Sequence, residues 1–132
     1  MDTITIGKHC SIDFMHDVPC VYIKWVGLPD SAEFQKGCDS ALDLLKRKGV
    51  SKVITDSSEA SVFSLSDQRW LNENWLPRAE KAGYHHSAAV VGNNDAFIKF
   101  AVNNISAKRD TSKFTSKIFT TIDEAKKWLQ AL

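Results

Sequence analysis

The chain has 132 residues and a formal net charge of +1, with 43% hydrophobic and 25% charged residues. This is the composition of an ordinary globular protein, long enough to bury roughly two-thirds of the surface that its unfolded form exposes. The near-neutral charge argues against a nucleic-acid partner, because a polyanion is attracted by a strong positive field. We therefore expect one domain over residues 1–132 and no binding to nucleic acid.

The start of the chain and the cysteines indicate a cytoplasmic protein. Residues 1–6 lack the basic start and apolar core of a signal peptide, and no apolar run approaches the roughly 20 residues of a transmembrane segment. Cys10, Cys20 and Cys38 are odd in number and match neither a disulfide framework nor a zinc motif. We expect reduced thiols that pack as small apolar side chains.

The first elements are predicted as a β-meander followed by a helix. Alternating or β-branched residues mark strands at 3–8, 11–16 and 20–26, with one face of the third on the core. Asp30 is placed to cap a helix, with Glu33 as its capping-box partner, and Gly49 to end it after Lys48. A short apolar run at 52–56 indicates a buried parallel strand.

Helices and strands then alternate to the end of the chain. A helix is predicted from Ser66 to about Trp75, because Pro77 disfavours its continuation beyond one further turn. Thr121 caps a last helix, in which Ile122, Ala125, Leu129 and Leu132 have core spacing. The elements between are a strand at 86–91, a helix at 94–107 and a strand at 116–120. The order ββ(β)αβαβαβα predicts an α/β fold, a mixed sheet of about five strands packed with about four helices.

These residues resemble a known family, the SpoIIAA-like proteins, which are small cytosolic STAS-like relatives of bacterial anti-sigma-factor antagonists. The resemblance covers roughly residue 20 to the C-terminus. The segments that carry it are 25–27, 52–56, 67–70, 75–79 and 97–105. It implies a STAS-like fold and a regulatory domain that is not an enzyme and needs no cofactor.

The resemblance also implies a phosphorylation site. In the anti-sigma-factor antagonists a partner kinase phosphorylates a serine at the start of the helix after the central strand, which turns off a protein contact. Ser66 is the nearest counterpart here, with Ser64 second, although the family's Asp-Ser-Ser-Gly run is replaced by 56–59 without the glycine. The alternative for Ser66 is a plain helix N-cap.

The tryptophans are the other functional candidates. Trp70 and Trp75 are five apart, about 140° around an α-helix, so they cannot both point at the core. Leu71 and Trp75 make the expected core pair, which leaves Trp70 and Asn74 on a flank. Trp70 either covers the sheet edge or contributes to a homodimer contact, since aromatic residues are enriched at interfaces. We expect a protein-interaction module that docks through residues 64–78.

A small apolar or amphipathic ligand, such as a lipid, is the alternative, bound between helices 66–78 and 94–107. Arg78 or Lys99 would meet an anionic head group, and the apolar lining would include Trp70, Trp75, Phe97, Ile98 and Phe100. An enzyme would require folding to bring together Asp56, Arg78 and His86, and no motif supports one. No metal is expected, because the adjacent His85 and His86 of a strand point to opposite faces.

Overall fold

The computed structural model describes residues 3–61, 63–92 and 114–132, which form one mixed sheet. Its six strands lie side by side in chain order: β1 (Ile4–Ile6), β2 (Cys10–Met15), β3 (Cys20–Gly27), β4 (Lys52–Ala60), β5 (His86–Val90) and β6 (Thr115–Phe119). The first three pair antiparallel, and β3 to β6 pair parallel. The predicted mixed α/β sheet is confirmed, with six strands in place of about five.

The described helices are α1 (Ser31–Lys48), α2 (Leu65–Trp70), a π-helical segment (Leu71–Trp75), α3 (Leu76–Lys81) and α4 (Ile122–Gln130). α2, the π-helical segment and α3 follow one another without a break, and together we call them the composite helix, residues 65–81. The helix predicted at 94–107 lies outside the described residues. Among the helices described, none is both long enough and apolar enough to cross a membrane.

The two faces of the sheet carry different helices. Ile23 and Val53 contribute to a core formed with α1 and the composite helix, whereas their neighbours Tyr22 and Ile54 belong to a second core under α4. This follows from the alternation of side chains along a strand. The predicted pattern of β3 is confirmed, since Val21, Ile23 and Trp25 are all buried. The composite helix and α4 therefore lie on opposite faces of the sheet.

The end signals of α1 lie where they were expected, with one difference. Asp30 accepts the backbone N–H of Glu33 at 2.8 Å, and Gly49 closes the helix at a left-handed φ of 63°. The carboxylate of Glu33, however, turns to the β1–β2 hairpin, where it pairs with His9 Nδ1 at 3.0 Å and accepts the N–H of Lys8. The capping-box role predicted for Glu33 is therefore wrong, because the hairpin brings a histidine within its reach.

The last helix is capped as predicted and packs through most of the predicted residues. Thr121 accepts the N–H of Glu124 at 3.2 Å, and Ala125 and Leu129 are fully buried. Leu132 is 51% exposed, so its predicted place in the core is wrong. The helix ends at Gln130, two residues earlier, which takes Leu132 off the helical stripe.

All three cysteines are free and buried, as expected. Burial, and secondarily the charge of Glu33, raises the pKa of the Cys10 thiol to about 12. Burial likewise raises the pKa of Cys20 to about 12, and that of Cys38 well above its ordinary value. These thiols are therefore protonated at neutral pH and are poor nucleophiles.

Candidate functional site

The composite helix does not stop at Pro77. Leu76 donates its N–H to the carbonyl of Leu71, five residues earlier, and α3 then runs on to Lys81 with Pro77 in its first turn. Pro77 has no N–H to donate to the backbone ladder, but its fixed φ is compatible with helical geometry. The predicted end near Trp75 is wrong, because the chain stays helical through the wider π-turn, whereas the further turn predicted from Pro77 is present and ends at Lys81.

The π-turn also decides how the two tryptophans lie. One additional residue in the turn brings positions five apart closer to one face, so both indoles contact the same core. Trp75 is buried, and its Nε1 donates to the carbonyl of Cys38 on α1 at 2.8 Å. Trp70 is half-buried, with its ring centre 6.1 Å from that of Phe34. Trp70 thus covers the edge of the core while part of it stays accessible.

Arg78 and Asn74 form the outer part of this region. The Arg78 guanidinium donates to Asp39 Oδ1 at 2.9 Å and to Asn74 Oδ1 at 3.0 Å, and lies 6.0 Å from the centre of the Trp70 ring. These contacts fasten the composite helix to α1. Because the ion pair is exposed, it contributes little stability, at most about 1 kcal/mol. The predicted anion anchor is thus already engaged with carboxylate and amide oxygens.

The two serines of the first turn have different roles. Ser64 is the N-cap, and its Oγ accepts the N–H of Asp67 at 3.1 Å. Ser66 lies two residues after Ser64 and is exposed, and its Oγ is 3.1 Å from the Ser64 Oγ. The N-cap expectation for Ser66 is wrong, because Ser64 has the extended backbone that a cap requires.

Several exposed apolar side chains lie close in the chain to the carboxyl ends of β3 and β4. Leu65 is 71% exposed, between the two serines. Leu28 is 54% and Val26 42% exposed, and both lie at the carboxyl end of β3. β4 ends beside them, since Ser61 donates its N–H to the carbonyl of Gly27. The exposure of Leu65 and Leu28 was not predicted from the sequence. One signal was available for Leu65, which lies in the first turn of its helix and outside the apolar stripe.

Asp56 does not end a strand, because β4 continues to Ala60 through residues that were expected to form a polar loop. It is buried, accepts the N–H of Ser58 at 3.0 Å, and accepts the Tyr22 hydroxyl at 2.5 Å. Burial, and then this hydrogen bond, raises the pKa of Tyr22 above its usual range. Asp56 is therefore an acceptor of N–H and O–H groups, as expected, but within the sheet.

The residues that an enzyme would have needed together lie apart. Asp56 and His86 share the α4 face of the sheet, but Asp56 pairs with Val90, four positions and about 13 Å along β5 from His86. Arg78 belongs to the composite helix on the opposite face. The fold does not assemble these three into one site.

A cavity of about 90 Å³ lies between the composite helix, α1 and the parallel strands. Leu71 and Trp75 belong to its wall, as do four more aromatic side chains, Trp25, Phe34, Phe63 and Tyr84. Its floor carries hydroxyl side chains of β4, β5 and β6: Thr55, Ser57, Ser87 and Ser116. Of the lining predicted for a ligand, Trp75 is present and Trp70 and Arg78 are not, while Phe97, Ile98, Lys99 and Phe100 lie outside the described residues.

Comparisons with known proteins bear on the fold. No protein-family model matches the chain, and no curated protein sequence matches it. Among solved structures, the anti-sigma factor antagonist SpoIIAA in its unphosphorylated form has a TM-score of 0.62 at 13% identity, covering 93% of this chain and 97% of its own. Bacillus SpoIIAA in the phosphorylated form has a TM-score of 0.55 at 16% identity, covering 91% of this chain and 98% of its own.

An uncharacterized protein of the DUF3478 family from Shewanella loihica PV-4, described as having a SpoIIAA-like fold, matches with a TM-score of 0.57. It is 19% identical and covers 96% of this chain and 98% of its own. Because the identities are low, these likenesses establish the architecture and not the activity. The resemblance seen in the sequence is confirmed at the level of the fold: the chain has the SpoIIAA-like, STAS-like fold.

Proposed function

We propose that the protein is a non-enzymatic regulatory module that docks on a partner protein through residues 64–78. We propose further that the same surface joins two copies into a homodimer. The observation that carries this is the 71% exposure of Leu65 in the first turn of the composite helix. An apolar side chain this exposed gains free energy when a partner removes it from water.

The rest of the region has the composition of an interface. Trp70 is half-buried with the Arg78 guanidinium at its ring, and tryptophan and arginine are enriched in interfaces and among their energetic hot spots. Leu28 and Val26 are further exposed apolar residues, at the carboxyl end of β3. The shared fold with an anti-sigma factor antagonist supports a regulatory role.

Phosphorylation of Ser66, or secondarily of Ser64, is the proposed switch. Ser66 is exposed and directly follows Leu65. A phosphate there would place a charge of about −2 beside an apolar contact surface, which would then have to be desolvated on docking. The modification should therefore release the partner.

Sedimentation velocity over a range of protein concentrations tests the proposal. The unmodified protein should approach the mass of a dimer, and Leu65→Asp should shift it to the monomer, as should Ser66→Asp more weakly. Leu132→Asp is the matched control, because Leu132 is also an exposed leucine but follows α4, on the opposite face of the sheet from the composite helix. A monomer at every concentration, or equal effects of Leu65→Asp and Leu132→Asp, would reject the homodimer.

We also propose that the protein works in the cytoplasm. Three buried free thiols suit a reducing compartment, since structural disulfides belong to oxidising ones.

A ligand-binding module is the second candidate function. The cavity beneath the composite helix favours it, because the wall is mainly aromatic and aliphatic with a few polar groups, as in small-molecule sites. Native mass spectrometry of protein purified from its own cells tests it, with a retained small molecule as the expected result.

A further inference from the structure

The cavity limits its ligand by size. About 90 Å³ is well below the roughly 150 Å³ of an engineered protein cavity that holds benzene. By that comparison it has room for a group of about four non-hydrogen atoms. An acyl chain of lipid length does not fit inside it.

The charges around the cavity limit the ligand as well. Among the described lining residues only Lys117 is charged. Its ammonium lies 5.6 Å from the centre of the Phe119 ring, which packs with the core under α4 on the opposite face of the sheet. Arg78, the other candidate anchor, is held by Asp39. The part of the wall that the structure describes therefore offers an anion no counter-charge, and an unpaired charge is costly to desolvate.

The polar groups that do face the cavity are hydroxyls. Ser57 is 3% exposed and Ser87 6%, and both belong to the floor opposite Trp75. A hydroxyl both donates and accepts, so the floor can bind one neutral polar group while the wall contacts an apolar chain. Since a buried polar group needs a partner, a ligand hydroxyl gains a hydrogen bond here that a purely apolar molecule cannot make.

We propose that the cavity binds a small neutral molecule of the short-chain alcohol class, with its hydroxyl on Ser57 or Ser87 and its chain against Trp75. This rests on the second candidate function, the ligand-binding module. Because Trp75 and Leu71 belong to the π-helical segment, the bound molecule would contact the inner side of the docking region. So few ligand atoms set a dissociation constant above about 1 µM.

Titration with 1-propanol, followed by amide NMR, tests the proposal, with xenon as an apolar probe of the same cavity. We expect saturable shifts around Trp75. Ser57→Ala or Ser87→Ala should weaken propanol binding about three- to tenfold and leave xenon binding unchanged. Ala41→Leu, which fills the cavity from α1, should abolish both. The serine variants keep the test valid if Ala41→Leu fails to fold.

The outcomes separate the two levels of the proposal. If xenon binds and propanol binding is unaffected by both serine substitutions, the alcohol assignment is wrong and a ligand-binding cavity remains. If neither probe binds, the alcohol assignment and the ligand-binding function both fail.

Discussion

The indole of Trp75 links the composite helix, which carries the proposed docking surface, to α1. Its ring is buried against Tyr84, and its N–H donates to the Cys38 carbonyl on α1. Trp75→Phe removes that hydrogen bond, for about 1 kcal/mol, and also part of the buried volume. We expect the free energy of unfolding in urea to fall by about 2 kcal/mol.

Trp70→Phe is the matched control for this substitution. Trp70 is half-buried and contacts Phe34 only through an edge-to-face pair. Its replacement should cost less than about 1 kcal/mol, because the phenyl ring retains most of the contact. Equal losses at the two positions would show that the Cys38 hydrogen bond contributes nothing.

Predictions for single residues are confirmed where the neighbouring sequence alone determines the conformation. The caps Asp30 and Thr121 and the left-handed Gly49 are set by neighbouring backbone, and all three lie as predicted. The prediction for Glu33 was wrong because its partner, His9, is 24 positions away in the chain. The N-cap prediction for Ser66 was wrong because either of two serines could cap the helix, and the sequence does not show which of them has the extended backbone.

The β1–β2 hairpin is fastened to the start of α1 by this pair of side chains. The hydrogen bond from His9, and next its charge, lowers the pKa of Glu33 below its ordinary value of 4.5. A carboxylate with a lowered folded-state pKa stabilises the fold above its unfolded pKa, and this contribution is lost as the pH falls through the folded pKa. We expect Glu33→Gln to be less stable than the unmodified protein at pH 6, with the difference shrinking below pH 4.5.

Thermal unfolding of both proteins across this pH range measures the effect. Glu73→Gln, an exposed glutamate on the composite helix, is the control and should show a smaller pH-dependent difference. A difference between Glu33→Gln and the unmodified protein that stays constant from pH 6 to pH 3 would contradict the role of the Glu33 charge.

The ends of strands and helices depend on contacts with other elements, which the sequence does not show directly. β4 runs four residues beyond the prediction because β3 remains beside it, with Glu59 opposite Val26 and Lys24 within 2.6 Å of the Glu59 carboxylate. Serine and glutamate would otherwise favour a loop. The π-turn before Pro77 is likewise set by packing, since both Trp70 and Trp75 gain contact with the core.

At the scale of the whole molecule, the sequence predicted the mixed sheet and its parallel half. The hydrophobic periods carry that information, because each buried face must lie against another layer. The exposure of Leu65 was not predicted, and the cavity lies between α1 and the composite helix, whereas the pocket was predicted between residues 66–78 and 94–107. Both features arise where several elements meet, which the hydrophobic period of one element does not describe.

Hydrogen–deuterium exchange of the protein at low and high concentration tests the docking surface most directly. The account predicts that association slows exchange at residues 64–78 and at the neighbouring end of β3, and leaves β6 and α4 unchanged. Slower exchange confined to β6 or α4, or no change at concentrations where the protein is dimeric, would contradict it. Slower exchange confined to β6 or α4 would place the contact between copies on the opposite face of the sheet or at its edge.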